Sequence, residues 1–259
     1  MKTKNLKISL LQLELVWENP SANKIKCERY FKQLREDCHV VVLPEMFTTG
    51  FTMNPKLIAE TMDGETVNWL KDWSSKLKMA ICGSVVVSEN DSFYNRFLFV
   101  KPDGTIVHYD KRHTFNMAGE GERYTAGVEQ IIINYLGWSL FPQICYDLRF
   151  PVFVRNTMHY DAILYVANWP KTRIAAWDTL LKARAIENIS YCIGVNRVGF
   201  DGNQLEYVGH SGAYDMLGNE MSQIEEKEGI TSITLSKPDL NETRKKLPFL
   251  EDRDTFTLL

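Results

Sequence analysis

The sequence lacks any stretch close to the roughly 20 apolar residues of a membrane span. It also lacks an internal repeat, a linker rich in Gly, Pro or Ser, a polybasic run and a Cys-x-x-Cys pair. Each absence removes a class of function. The 30 Lys and Arg residues nearly balance 33 Asp and Glu, for a net charge of -3. No basic face therefore recommends nucleic acid, and no polybasic segment recommends a membrane surface. The cysteines are five, an odd number, which argues against a disulfide framework or a thiolate zinc site. The N-terminal run after Lys2 and Lys4 is interrupted by Gln12 and Glu14 and reads as a strand rather than a signal peptide. A cytoplasmic location is the expectation, with no metal and no organic cofactor.

What is present is a chain of 259 residues, 44% of them hydrophobic, enough for one large core. We read a single domain over 1–259, with a core from about 5 to 236 and a tail from 237 to 259. Short apolar runs at Lys7–Leu15, His39–Leu43, Ala80–Val87, Ala162–Ala167 and Tyr191–Val195 predict strands. Phe93–Lys101 and Thr105–Tyr109 flank Pro102-Asp103-Gly104 and predict a hairpin, and Gln130–Asn134 with Trp138–Cys145 predict another. Two further strands are expected near Ser211–Met216 and Ile230–Leu235. Ser21 is expected to cap a helix burying Ile25, Phe31 and Leu34, and a second helix follows Gly64 with Val67, Leu70 and Leu77 on its stripe. Further helices are expected after Pro151, over Thr172–Asn188, and around Pro238–Lys246. Hairpins mixed with helix-separated strands mean an α/β protein with mixed sheets.

Three segments place a reactive side chain at the end of a predicted strand. Val40-Val41-Val42-Leu43-Pro44-Glu45 delivers a carboxylate, Tyr109-Asp110-Lys111-Arg112-His113 a cationic cluster, and Pro142-Gln143-Ile144-Cys145-Tyr146-Asp147 a thiol where the strand turns toward a helix. Taken singly these are an ordinary loop carboxylate, a surface lysine and a core cysteine. Together they sit where ligand sites of open α/β sheets form.

On these segments the chain resembles the nitrilase superfamily, from the first strand to about Leu235. Within it, Asn168-Trp169-Pro170 and Ala183-Arg184-Ala185-Ile186-Glu187-Asn188 look most like the bacterial omega-amidases. The resemblance implies a four-layer α-β-β-α sandwich with two mixed sheets, a homodimer, and catalysis by Glu45, Lys111 and Cys145. It also implies a second, supporting glutamate, placed at Glu120 with Glu122 as the alternative. Hydrolysis of a small ω-amide of a dicarboxylic or α-keto acid, of the 2-oxoglutaramate type, is then the expected activity.

The residue types suit that chemistry independently. A thiolate route splits the hydrolysis of an unreactive amide into two easier steps. A nearby lysine is expected to lower the Cys145 pKa, while Glu45 exchanges protons with thiol and leaving ammonia. Lys111 and the backbone N–H of Tyr146 would hold the oxyanion. Trp169 and Trp177 are expected to wall the pocket. Arg173 is the candidate for a substrate carboxylate, with Arg149 second unless it pairs with Asp147. Competing readings are a Cys–His hydrolase built on His113, a catalytically dead binding protein of the same fold, and a nitrilase, carbamoylase or acyltransferase of the same superfamily.

Overall fold

Alternation along the strands dictates the architecture. In the computed structural model, which describes residues 2–258, β1 (Asn5–Gln12) turns Leu6, Ile8 and Leu10 to one side and Leu11 to the other. In β2 (Val40–Val42), Val40 and Val42 face the same way as Ile8, and Val41 faces Leu11's side. A strand that is apolar on both faces must be covered on both. The first cover is a helical layer: α1 (Pro20–Phe31) and α3 (Glu65–Leu77), separated by the single turn α2 (Pro55–Ile58), pack Cys27, Phe31, Val67 and Leu70 on Val41, Leu43 and Ile81. The second cover is another sheet.

The first sheet is completed by β3 (Ala80–Glu89), β4 (Ser92–Val100), β5 (Ile106–Asp110) and the late strand β14 (Gly229–Ser236). Its order is β14-β1-β2-β3-β4-β5. β1, β2 and β3 run parallel, and the flanking pairs are antiparallel. The second sheet uses β6 (Ile133–Tyr135), β7 (Trp138–Ile144), β8 (Ala162–Val166), β9 (Tyr191–Val195), β12 (Gly212–Tyr214) and β13 (Glu220–Gln223). Its order is β13-β12-β9-β8-β7-β6, with β7, β8 and β9 parallel. A short ribbon of β10 (Val198–Phe200) and β11 (Glu206–Val208) lies apart from both. The inner faces share one core: Leu10, Val42, Phe97 and Phe99 from the first sheet meet Leu140, Leu164 and Ile193 from the second. α5 (Ile174–Asn188) covers the outer face of the second sheet through Trp177, Leu181 and Ala185. The four layers expected from the family resemblance are therefore present.

Several local expectations are corrected. Asn19, not Ser21, caps α1, its side chain accepting from the Ala22 N–H at 3.0 Å, because Pro20 already suits the first helical turn. Ile25 is 53% exposed and Leu34 lies beyond the helix end, so Cys27 and Phe31 anchor α1. The helix after Pro151 is a single turn, α4 (Pro151–Val154). α5 begins at Ile174 because Lys171–Arg173 form a 3-10 turn. The first residues of the tail belong to the fold: α6 (Lys237–Lys246) buries Leu240 in the main core, and Arg244 donates to the carbonyls of Ile189 and Tyr160. Leu259, the last apolar residue of the tail, lies outside the described residues.

Candidate active site

The reactive residues collect where the C-terminal ends of β2, β7 and β8 come together. β2 stops before Pro44, and Glu45 follows, wholly buried. The next residue, Met46, takes a left-handed backbone (φ 43°), stabilised by the Ser84 hydroxyl, which accepts its N–H at 2.8 Å. Lys111 directly follows β5 and is also buried. Cys145 directly follows β7, as the first residue of a 3-10 turn (Cys145–Arg149) and not as the last residue of a strand. Its φ of 45° is the strained left-handed conformation that cysteine rarely adopts, and it turns the chain sharply at the thiol.

Asp147 fixes that turn. One carboxylate oxygen accepts the Ile144 N–H at 2.9 Å and the Tyr109 hydroxyl at 2.8 Å. The other accepts the His113 N–H at 3.0 Å and lies 2.7 Å from the His113 ring. The two sequence segments carrying Lys111 and Cys145 are thus bolted together by one buried acid. This arrangement answers two earlier readings. Asp147 has no ion pair with Arg149, and His113 is committed to Asp147 and stacked on Phe150 at 3.7 Å, outside the cavity that Cys145 lines. The Cys–His reading loses its histidine.

The electrostatic centre is the Lys111 ammonium. It lies 3.0 Å from Glu45 Oε1 and 3.0 and 2.9 Å from the two oxygens of Glu120. Of the two candidates for the second glutamate, Glu120 is the buried one and Glu122 is exposed. Burial alone would push the Lys111 proton off, but the charges of Glu120 and Glu45 outweigh it and raise its pKa above that of an ordinary lysine. Burial likewise raises the Glu120 pKa, against the pull of Lys111. Asn95, in the middle of β4, was not anticipated from sequence. Its side-chain N–H group donates to Glu45 at 2.8 Å and to Glu120 at 3.3 Å, while its oxygen accepts from Ser84.

Asn168, two residues past β8, joins the sheets. Its backbone N–H donates to Glu45 Oε2 at 2.8 Å, its side-chain amide donates to the Glu45 carbonyl at 2.7 Å, and its carbonyl lies 3.9 Å from Cys145 Sγ. One residue therefore contacts both the carboxylate and the thiol. The Cys145 thiol is pushed well above its ordinary range, first by burial and then by the negative charge of Glu45, with Lys111 opposing. The lowering expected from the lysine is present but is outweighed by burial and by the charge of Glu45.

These groups open onto a cavity of about 210 Å³ lined by Glu45, Lys111, Cys145, Tyr146, Asn168 and Trp169, with Phe115 and Tyr207 among its walls. The two arginines also line it. The Arg173 guanidinium lies over the Phe115 ring at 5.1 Å and Arg149 over the Trp169 ring at 4.9 Å; neither forms an ion pair among the described residues. Trp177 does not reach the cavity: it is fully buried under the second sheet, its ring N–H donating to the His210 carbonyl. No cluster of candidate metal ligands occurs among the described residues.

The fold and this site define a class. The carbon-nitrogen hydrolase family model matches residues 7–245, and the chain belongs to that family, within the nitrilase superfamily. It is 47% identical to omega-amidase YafV of Yersinia enterocolitica over 98% of this chain and 99% of that one. It is 32% identical to a 2-oxoglutaramate amidase of Bacillus subtilis, covering 95% and 96% of the two chains. The crystal structure of XC1258 from Xanthomonas campestris, a CN-hydrolase superfamily protein with an arsenic adduct in its active site, superposes with a TM-score of 0.97. It shares 42% identity over 99% of this chain and 100% of that one.

The raised thiol pKa sets a reactivity. At about pH 7, Cys145 of the free protein should react with iodoacetamide more slowly than free cysteine, and its rate should climb with pH through and beyond 9.0, the ordinary thiol value. Peptide mapping of the alkylated protein reads this directly. A rate already at its plateau near neutral pH would mean a preformed thiolate and would contradict the arrangement.

Proposed function

We propose that this amidase hydrolyses a small ω-amide of a dicarboxylic or α-keto acid, of the 2-oxoglutaramate type, to the acid and ammonia through a thioester on Cys145. The observation that carries the mechanism is the Lys111 ammonium held between Glu45 and Glu120 in the wall of the cavity that Cys145 lines. Cys145 Sγ attacks the amide carbonyl while Glu45 takes its proton, so thiolate appears only as the bond forms. The oxyanion is stabilised by Lys111 and by the Tyr146 N–H, donors that are already in place before reaction. Glu45 returns the proton to the nitrogen, ammonia leaves, and a thioester remains. Glu45 then takes a proton from water, whose oxygen attacks the thioester carbonyl; the C–S bond breaks, the acid is released, and Glu45 returns the proton to the leaving Cys145 sulfur. Glu120 is a positioning residue that fixes and charges Lys111.

The substrate class rests on the omega-amidase and 2-oxoglutaramate amidase relatives and on the two arginines of the cavity. A guanidinium with no carboxylate partner suits an acidic tail on the substrate, and the cavity is small. Trp169, 3% exposed, walls it, and its ring N–H donates to the Arg173 carbonyl at 2.8 Å, which fixes the turn that carries the arginine. We further read the chain as a single domain over 1–259 and as a cytoplasmic homodimer. Five free cysteines suit a reducing compartment, and no helix among the described residues is long and apolar enough to cross a membrane. Exposed Val152 and Ile186, beside the nucleophile turn and on α5, with Phe249, Phe256 and Leu258 of the tail, supply apolar surface for a partner subunit.

Each of Cys145→Ala, Lys111→Ala and Glu45→Ala should cost at least about 10²–10³ in kcat, with double variants far from additive. Wild-type turnover by Cys145→Ala would refute the mechanism. In steady-state assays of released ammonia, succinamate or 2-oxoglutaramate should exceed butyramide by about tenfold or more in kcat/KM, and Arg173→Ala should erode that preference. A neutral amide or a nitrile turned over equally well would refute the substrate class. An unchanged preference in Arg173→Ala would transfer the carboxylate contact to Arg149. Sedimentation should give a dimer mass; a monomer mass that does not change with concentration would refute the assembly.

A further inference from the structure

One buried polar atom, on a residue that lines the cavity, has no use in the chemistry so far. Asn168 is 5% exposed, and its side-chain N–H group and its backbone N–H both donate to Glu45. The side-chain group reaches two acceptors, the Glu45 carbonyl at 2.7 Å and Glu45 Oε2 at 3.3 Å, and these fix which end of the side chain is nitrogen. The remaining atom, Oδ1, is therefore an acceptor. It is fully buried and makes no hydrogen bond among the described residues. A buried carbonyl oxygen without a donor is costly, so such an atom in a binding cavity is a place for a ligand donor.

The reacting group supplies that donor. A primary carboxamide carries two N–H bonds, whereas a nitrile, an ester and the carboxylate product carry none. Glu45 can accept one of the two N–H bonds and needs a second acceptor beside it to take the other. Resting on the amidase reading above, we infer that Asn168 Oδ1 accepts an N–H of the substrate carboxamide and thereby selects amides over isosteric groups without an N–H. The same side chain, through its own N–H group, keeps Glu45 in place. Asn168 thus touches the substrate as well as positioning the base, and these two roles can be separated by a ligand that lacks only the N–H.

Levulinate is succinamate with the amide nitrogen replaced by a methyl group, so the pair differs in N–H donors at nearly constant shape. Calorimetric Kd values in the Cys145→Ala protein, where no acylation competes, should favour succinamate by about tenfold. Adding Asn168→Ala should abolish most of that preference while levulinate affinity changes by no more than about threefold, the retained levulinate binding showing that the cavity survives. A purely structural role for Asn168 predicts the opposite, both ligands weakening together with their ratio unchanged, and would overturn the inference. If Asn168→Ala destroys the cavity, the Cys145→Ala/Glu45→Ala protein decides. Part of the succinamate preference must persist there on Asn168 alone, and its complete loss would assign both N–H bonds to Glu45 and overturn the inference. Failure of succinamate to bind the parent Cys145→Ala protein would instead overturn the acidic-amide reading, and this inference with it.

Discussion

The site depends on a single buried cation. Lys111 is removed from water and kept charged by Glu45 and Glu120, both themselves buried. Such a cluster is stable only if each member is satisfied, because removing one partner strands an uncompensated charge. Two carboxyl groups flank one ammonium, and this arrangement bears on the thiol that shares their cavity. The charge of Glu45 raises the Cys145 pKa, against the pull of Lys111. In the proposed reaction the thiol gives its proton to Glu45 as the bond to the substrate forms, and the oxyanion lies on the carbonyl oxygen beside Lys111.

Three side chains that do no bond-making hold this centre. Asn95 ties the two carboxylates to one amide, Asp147 ties the nucleophile turn to the segment carrying Lys111, and Asn168 ties Glu45 to the far sheet. All three are buried, and each links elements from different strands. The left-handed backbone at Met46 and Cys145 is tolerated because these bonds over-determine the turns on either side. The sandwich is what makes the linkage possible: β2 belongs to one sheet and β7 and β8 to the other, so the cleft between their ends receives side chains from both.

Much of this was legible in the sequence. Strands of unbroken apolar character, such as Val40–Val42 and Tyr191–Val195, announced their burial, and Glu45, Lys111 and Cys145 were visible because each stands at the end of such a strand. The hairpin at Pro102-Asp103-Gly104 followed from turn chemistry. Asn95 left no signal, since one polar residue inside an otherwise buried strand has no period, and its partner Glu45 lies 50 positions away. Asn168 was noticed only within a resemblance; its contact with Glu45 spans 123 positions. Trp177 was misplaced because it sits near Arg173 in sequence, yet α5 rotates it under the sheet. The direction of the thiol's pKa was misjudged because burial, which a sequence does not display, and the charge of Glu45 outweigh the lowering by Lys111.

The central claim, that Cys145 is the acyl carrier, is tested most directly by acid quench during turnover of succinamate followed by intact-protein and peptide mass spectrometry. The account predicts a transient adduct equal to the substrate minus ammonia, located on the peptide containing Cys145 and absent from the Cys145→Ala protein. A turning-over enzyme that shows no such adduct at any quench time, or one that carries the acyl group on another residue, would contradict it.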